Sequence, residues 1–493
     1  MTSDATQTPF EVAVVGAGPA GLAAAIAAAE HGRQVVVIDA GAQLGGQYWR
    51  HPDESAPRGA ESDGHHDWRL FTRLRERFER LRASGGITYH PSTQVWLVES
   101  SPGAARTLHL AAVTDAEPAA QPDTVSASLL ILCPGGYDRQ LPIPGWDLPG
   151  VMTAGGVQAL LKAHRTLAGR RAIVAGTGPF LLAVAGQLVE AGAEVVAVCE
   201  ANRLSGWVRH GRSVASVPTK LLEGAGYALT LARHRVRYRA RAAVTYIEPD
   251  ASGAQVGAVR LSRLDARGRP VGELARIEVD LLALGWGFTP SLELIAAVGA
   301  QTRVDLDQSL VAVVDERQRS TVPGVYVAGE ATGVGGALLA VAEGELAGLD
   351  AAGANKGIDR LHRRIRRLRA FATAMQLAHP VPERWSDWLT DDTTICRCEE
   401  VDFATVRAAR DELGAADFRS VKVLARPGMG WCQGRVCGHA TAQLAAGDRP
   451  LTADDLRPIV KQSLCAPIPL ARLADGLGKD GAPVGDPGGR VPG

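Results

Sequence analysis

The chain has no net charge, few cysteines and no basic cluster in its first ten residues, and each scarcity argues against a class of function. Lysine plus arginine and aspartate plus glutamate both number 53, so the formal charge at pH 7 is zero. Nothing in that balance points to a nucleic-acid or strongly acidic partner. Residues 1–10, MTSDATQTPF, carry an acid and no basic cluster, so they do not read as the start of a secretory signal, and a cytoplasmic location is expected. In a reducing compartment, 7 cysteines among 493 residues do not suggest a disulfide framework, which leaves metal binding, catalysis or burial. One apolar run, VAVVGAGPAGLAAAIAAA at 12–29, nears the length of a membrane span. Its glycines and Pro19 argue against that reading, and no transmembrane segment is expected.

The same run is better read as part of a βαβ unit. Residues 12–40 alternate as strand, glycine turn, helix and strand, with an acid closing the second strand. Gly16 permits the tight turn, Gly18 admits a pyrophosphate against the backbone, and Gly21 lets helix and strand pack closely. Pro19 suits the first helical turn, followed by Ala20, and the helix N-terminus turns its partial positive charge to the phosphates. Asp39 is placed to accept from the adenosine ribose hydroxyls. Turn, helix and acid together predict a dinucleotide site.

A second unit follows at 171–200, with Gly176 and Gly178 in the turn and Glu200 closing its second strand. Leu181 replaces the third glycine, which holds helix and strand apart and weakens the phosphate-site prediction. An acid there favours a ribose with free hydroxyls, hence NAD or another adenine nucleotide over NADP. A retained scaffold without ligand is the competing reading. Between the units, an apolar strand at 129–132 runs into LILCPGG and PIPG. Cys133 there reads as a small buried residue.

Later, the strand VYVAGE at 325–330 ends in an acid, and a glycine-rich turn opens an alanine-rich helix. This segment resembles the closing stretch of the FAD site in the glutathione-reductase superfamily. By that resemblance Gly329, Glu330, Gly336 and Ala337 lie at the flavin: the acid holds the ribityl chain, and the helix N-terminus stabilises negative charge on the reduced ring. Aspartate is usual where Glu330 stands. Residues 358–370, IDRLHRRIRRLRA, predict a helix whose basic residues face solvent between domains, and the Gly- and Pro-rich residues 473–493 read as a loose tail.

Four of the cysteines gather in two tight pairs, Cys396 with Cys398 in CRCEE and Cys432 with Cys437 in GMGWCQGRVCG. Short glycine-rich loops can turn such thiolates toward one centre, either zinc or iron–sulfur. Beyond spacing, these blocks resemble the small [2Fe–2S] domain of the bacterioferritin-associated ferredoxin type. VVGAGPAGLAAA, LGGQYWR, LPIPGWDLPGVMTAGG, GTGPFLLAVA, LGWGFTPS and VPGVYVAGEATGVGGA extend the resemblance over most of the chain. They resemble the large subunits of octopine and nopaline oxidases, the B subunit of hydrogen cyanide synthase, and the alpha subunits of dye-linked proline and hydroxyproline dehydrogenases.

That resemblance implies an α/β fold with two Rossmann-like dinucleotide-binding domains and a small α-rich C-terminal domain. The implied divisions are an FAD domain in two segments, 1–150 and 276–355, a second nucleotide domain at 151–275, a linker at 356–390, a [2Fe–2S] domain at 391–446 and a tail at 447–493. It also implies that Cys396, Cys398, Cys432 and Cys437 ligate the cluster and that Gly45, Gly46 and Gln47 approach the flavin or a nucleotide. Function then reads as an FAD and [2Fe–2S] electron-relay subunit that works beside a second, amino-acid-oxidase-like flavoprotein on a small amine or amino acid, passing electrons to an acceptor. The alternatives are a free-standing NAD(P)H-dependent reductase and an assembly or regulatory subunit. No redox cysteine pair stands near the expected flavin, which disfavours a disulfide-reductase reaction.

Overall fold

The computed structural model describes residues 9–54, 65–100, 105–113, 122–470 and 473. The expected tail at 473–493 therefore lies, beyond its first residue, outside the described residues. Two parallel sheets organise the chain. The first runs in the order Ile87–His90, Val35–Ile38, Phe10–Val15, Thr124–Leu132, with Val325–Val327 also paired to the last of these. Arg106–Ala112 and Thr93–Glu99 extend it as an antiparallel edge. Val12 stands opposite Val35 on one side and Leu129 on the other. Val35–Ile38 is an unbroken run of buried Val and Ile, and Val12–Val15 and Leu130–Leu132 beside it are buried throughout, as the part of a sheet covered on both faces requires.

Helices Pro19–Glu30 and Ala337–Ala351 cover one face of this sheet and pack on each other. They can approach closely because small residues meet: a Cβ on Gly344 would lie 2.0 Å from the Ala20 carbonyl oxygen, and one on Gly348 2.3 Å from that of Ala24. The alanine-rich run is thus a buried helix contact. Among the described residues no helix is long and apolar enough to cross a membrane.

The second sheet runs Arg237–Ala240, Glu194–Glu200, Arg171–Gly176, Leu281–Gly285, Val151–Thr153. Leu281–Gly285 was expected in the returning FAD segment from 276. It instead pairs with Arg171–Gly176, Leu282 opposite Ile173, and its five buried residues fill the slot between two strands of the second sheet. A three-stranded antiparallel sheet of Ala242–Pro249, Val256–Leu264 and Pro270–Glu278 interrupts this unit in sequence.

The linker is mainly one helix, Ile358–Ala378, whose Leu361, Leu368 and Ala372 turn inward. Beyond it, the C-terminal part is α-rich: helices Phe403–Asp411, Phe418–Ala425, Gly438–Ala446 and Ala453–Val460 follow a short hairpin. The last of these corrects the tail expected from 447. Thr452 and Asp455 form a capping box, Arg449 clasps Asp455 at 2.7 and 2.8 Å, and Leu456, Ile459 and Val460 join Phe418 in the core. An amphipathic turn with a satisfied N-terminus folds here despite its glycine- and proline-rich surroundings.

Candidate functional site

The first glycine turn is built by close backbone approach. Gly16 has φ +99°, and a Cβ there would lie 2.3 Å from the Cys133 carbonyl oxygen, so the turn and the end of the return strand touch. A Cβ on Gly21 would lie 1.7 Å from the Gly16 carbonyl oxygen. Gly18 caps the helix with Pro19 in its first turn. The LGGQ loop completes this wall: the Gly45 amide donates to the Ala17 carbonyl at 2.9 Å, and a Cβ on Gly46 would lie 2.8 Å from Gly18 Cα. The structure therefore brings Gly16, Gly18, Pro19, Ala20, Gly21, Gly45 and Gly46 together. Gln47 is exposed and accepts from Arg50 at 2.5 Å.

Asp39 ends the second strand with its Oδ2 buried and without a hydrogen-bond partner. Burial pushes its carboxyl up to about 6, against the pull of the Gly41, Ala17 and Ala40 amides. A buried, unpartnered acceptor beside a glycine turn fits a ribose whose hydroxyls donate to it. This acid loses stabilising influence on the FAD-free protein as pH rises from about 4 to about 6, because the folded state favours its proton. Ribose hydroxyls favour the ionised form, so FAD binding to the FAD-free protein is expected to tighten over that same range. Asp39→Asn should weaken FAD by roughly tenfold or more, as losing a hydrogen bond to a charged group does, and flatten the pH dependence. Quenching of FAD fluorescence on binding measures both; an unchanged affinity would remove Asp39 from the site.

The closing segment is held differently from expectation. Glu330 accepts from the Gly335 and Gly336 amides at 3.1 and 2.9 Å, which ties its carboxylate to the entrance of helix Ala337–Ala351, and burial raises its pKa. Each oxygen keeps lone-pair capacity for a ligand hydroxyl. Two residues not anticipated from sequence fix this loop. Buried Glu343 accepts from the Gly329 amide at 3.0 Å and the Thr332 hydroxyl at 2.9 Å, and Arg369 of the linker helix pairs with Glu343. Arg369 also donates to the Gly333 carbonyl at 2.8 Å. Arg369 does not belong to the solvated basic face; its spacing from Ile365 and Ala372, along the inward stripe, was the available signal.

The second turn has the opposite character. Glu200 is 1% exposed, and its carboxylate is spoken for. Oε1 lies 3.1 Å from the Thr177 hydroxyl and accepts from the Asn202 amide at 2.9 Å and from Asn202 Nδ2 at 3.1 Å; Oε2 accepts from the Gly178 amide at 2.8 Å. His379 Nδ1 stands 3.1 Å from Oε2 without hydrogen-bond alignment. Burial opposes ionisation of Glu200, but His379 and these amides together keep its pKa below the usual range. Gly176 packs on the Gly285 carbonyl, a Cβ there lying 1.9 Å from it. Its acid is thus engaged at both oxygens and faced by an imidazole, unlike Asp39 with its unpartnered oxygen.

The clustered thiols of the C-terminal part come as two pairs. Cys396 and Cys437 share a hydrogen bond, which brings Cys396 down to about 5 and pushes Cys437 up. Cys396 Sγ also accepts from the Gly428 amide at 3.5 Å. Cys398 is raised by partial burial and pairs with Cys432, and Cys437 senses the charge of the other three. Cys398 is exposed, Cys432 half-buried, and Cys396 and Cys437 buried. Among the described residues no group of three or more His, Cys, Asp or Glu is placed to hold a metal ion; the thiols come as two pairs. Arg435 anchors them to the first unit, pairing with Glu293 at 2.7 Å and donating to the carbonyls of Cys432 and Cys465 at 3.3 and 3.0 Å. Cys133 and Cys199 are buried, with thiols pushed up to about 12, so neither is poised as a nucleophile. A cavity of about 500 Å³, lined among others by His66, Asp67, Glu223 and Tyr227, shares none of these site residues.

Two Rossmann-like sheets, the first with a turn and acid suited to FAD, define a two-dinucleotide flavin oxidoreductase. The sequence matches the pyridine nucleotide-disulphide oxidoreductase family over residues 10–345, and the chain belongs to that family. It is an FAD-dependent oxidoreductase. It is 31% identical to the A subunit of opine oxidase from Agrobacterium tumefaciens, over 94% of this chain and 91% of that protein. Against the HcnB subunit of hydrogen cyanide synthase from Pseudomonas protegens it is 31% identical, over 87% of this chain and 91% of the relative. The fold is that of L-proline dehydrogenase from P. horikoshii, with a TM-score of 0.64 at 18% identity, covering 94% of this chain and 79% of that one. The resemblance to opine oxidase and hydrogen cyanide synthase subunits expected from the sequence blocks thus holds over 94% and 87% of the chain.

Proposed function

We propose that this chain is the electron-relay subunit of a cytoplasmic enzyme that oxidises a small amine or amino acid, of the opine, proline, hydroxyproline or glycine type. In this reading the first unit holds FAD, and residues 391–446 hold a [2Fe–2S] cluster on Cys396, Cys398, Cys432 and Cys437. The observation that carries it is the pairing of thiols, Cys396 with Cys437 and Cys398 with Cys432, on an element that Arg435 and Glu293 lock to the FAD-binding unit. A two-iron cluster takes two protein thiolates at each iron, which suits sulfurs in pairs. When bound, flavin takes electrons two at a time and the cluster passes them singly to an acceptor that cannot take hydride.

The relatives' names, which are those of oxidase and synthase subunits, support a partner subunit, which this reading takes to be a second, amino-acid-oxidase-like flavoprotein. The rival reading, a reductase fed by NAD(P)H, needs a working second nucleotide site, and a Glu200 already held by Thr177, Gly178 and Asn202 disfavours it. Anaerobic titration with NADH, followed by flavin and iron–sulfur absorption together, separates the two. The expected result is no bleaching by NADH and full bleaching by dithionite. Rapid bleaching by NADH would overturn the relay reading in favour of the reductase.

A further inference from the structure

The second Rossmann-like unit has the turn, helix and acid of a dinucleotide site, and its ribose position is nonetheless covered. What covers it is the chain's own linker. Immediately after helix Ile358–Ala378, the backbone of His379 and Pro380 crosses the glycine turn. The His379 carbonyl oxygen lies 3.2 Å from the Thr177 hydroxyl, and the Pro380 carbonyl accepts from Asn202 Nδ2 at 2.9 Å. The His379 ring stands over Glu200 at 3.1 Å and meets Trp207 edge-on at 5.2 Å between centroids. Thr177, Glu200 and Asn202 are the turn residue, the ribose acid and the residue just past it, where a nucleotide's adenosine half is bound in such units. The Thr177 hydroxyl and Asn202 Nδ2 both reach the linker's carbonyls and the Glu200 carboxylate, and the Gly178 amide holds the carboxylate's other oxygen.

The contrast with the first unit is direct. There the corresponding acid, Asp39, keeps a buried oxygen without a partner, whereas Glu200 accepts at both oxygens and is faced by an imidazole. We infer that residues 379–380 act as an intramolecular ligand of the second dinucleotide unit, occupying the place of the adenosine ribose, so that this chain excludes adenine nucleotides there while the linker is docked. A tethered occupant competes at an effective concentration of order millimolar, set by the short chain that joins it to the site. A nucleotide must displace it, and its apparent affinity falls by the fraction of time the linker is undocked. Leu181, in place of the third glycine, is 1% exposed and packs beside Gly285, so helix and strand meet here through a side chain rather than by close backbone approach. The unit's role is then to anchor the linker that joins the two Rossmann-like units to the four-cysteine part. This inference does not depend on the metal content of that part.

The test is calorimetric titration of NADH, and separately ADP, into the FAD-loaded full chain and into Thr177→Ala/Asn202→Ala/His379→Ala, which removes the side chains that hold the linker. The wild type should show no saturable binding at micromolar concentrations, and the triple variant should bind at least tenfold tighter than the wild type. Retained FAD absorption confirms that the variant is folded; should it not fold, the single His379→Gly variant replaces it, with a smaller gain expected. Micromolar binding to the wild type would overturn the inference. So would a folded, FAD-loaded variant that gains nothing, because the linker would then not be what excludes the nucleotide. Neither outcome bears on the thiolate reading, which iron analysis tests separately.

Discussion

On the proposed reading, Cys432→Ser is expected to give a protein that keeps its FAD and loses its iron. The side chain is half-buried in a glycine-rich turn and faces Cys398, so the change removes one sulfur without touching the first unit. Serine's hydroxyl is far less acidic than a thiol and a much poorer iron ligand, so a cluster left with three thiolates is expected to be lost on purification. The fold beneath should stand, because Phe418, Leu456 and Ile459 carry the packing there and Arg435 holds the loop through the Cys432 carbonyl, which serine keeps. Iron per flavin, measured by metal analysis against FAD absorption, should fall to background. Cys465→Ser is the control: Cys465 is buried nearby, yet it lies outside both thiol pairs, and its loss should leave iron unchanged. Unchanged iron in Cys432→Ser would sink the assignment, and zinc in place of iron would change its chemistry.

The second large effect is Gly21→Val. A Cβ at Gly21 would sit 1.7 Å from the Gly16 carbonyl oxygen, backbone against backbone, and no rotamer relieves that. Helix Pro19–Glu30 would have to move away from the turn, dragging its contact with helix Ala337–Ala351. The expected cost is on the order of 3 kcal/mol, at the upper end for overpacking, and the variant should be recovered without FAD or as insoluble protein. Gly178→Ala is the counterpart in the second turn. Nothing lies within 4 Å of the added methyl, so only its φ of +97° resists. It should lose about 1–2 kcal/mol and keep full FAD. FAD per chain and the melting temperature of both variants make the comparison; full FAD in Gly21→Val would contradict the close approach.

The two variants also mark what was legible in the sequence. Gly16, Gly21 and Asp39 could be read because a glycine turn between strand and helix has few uses, and burial then left Asp39 with the free oxygen a ribose needs. Glu200 was equally legible as a position, but its occupant was not: Thr177, Asn202 and the His379–Pro380 segment meet only after a helix and several strands have folded between them. Glu330 shows the same limit at short range, since its reach back to the Gly335 and Gly336 amides depends on the turn it closes. Leu281–Gly285 is legible as a strand but not as a member of the second sheet, because a fully apolar strand does not announce its neighbours. Helix Ala453–Val460 is obscured for another reason. Thr452 and Asp455 spell a capping box, and the glycine- and proline-rich residues beyond it draw the expected tail too far upstream. The thiol pairing was visible only in part, since spacing joins 396 with 398 and 432 with 437, whereas folding matches 396 with 437 and 398 with 432.

The most direct test of a flavin working beside a thiolate-bound cluster is a count of electrons. Anaerobic titration of the purified, FAD-loaded chain with dithionite, with the EPR signal of a reduced two-iron cluster recorded at each addition, gives that count. The account predicts three electrons per FAD, two from the flavin and one from the cluster, with the EPR signal appearing during the titration. Two electrons per FAD and no iron signal would contradict it.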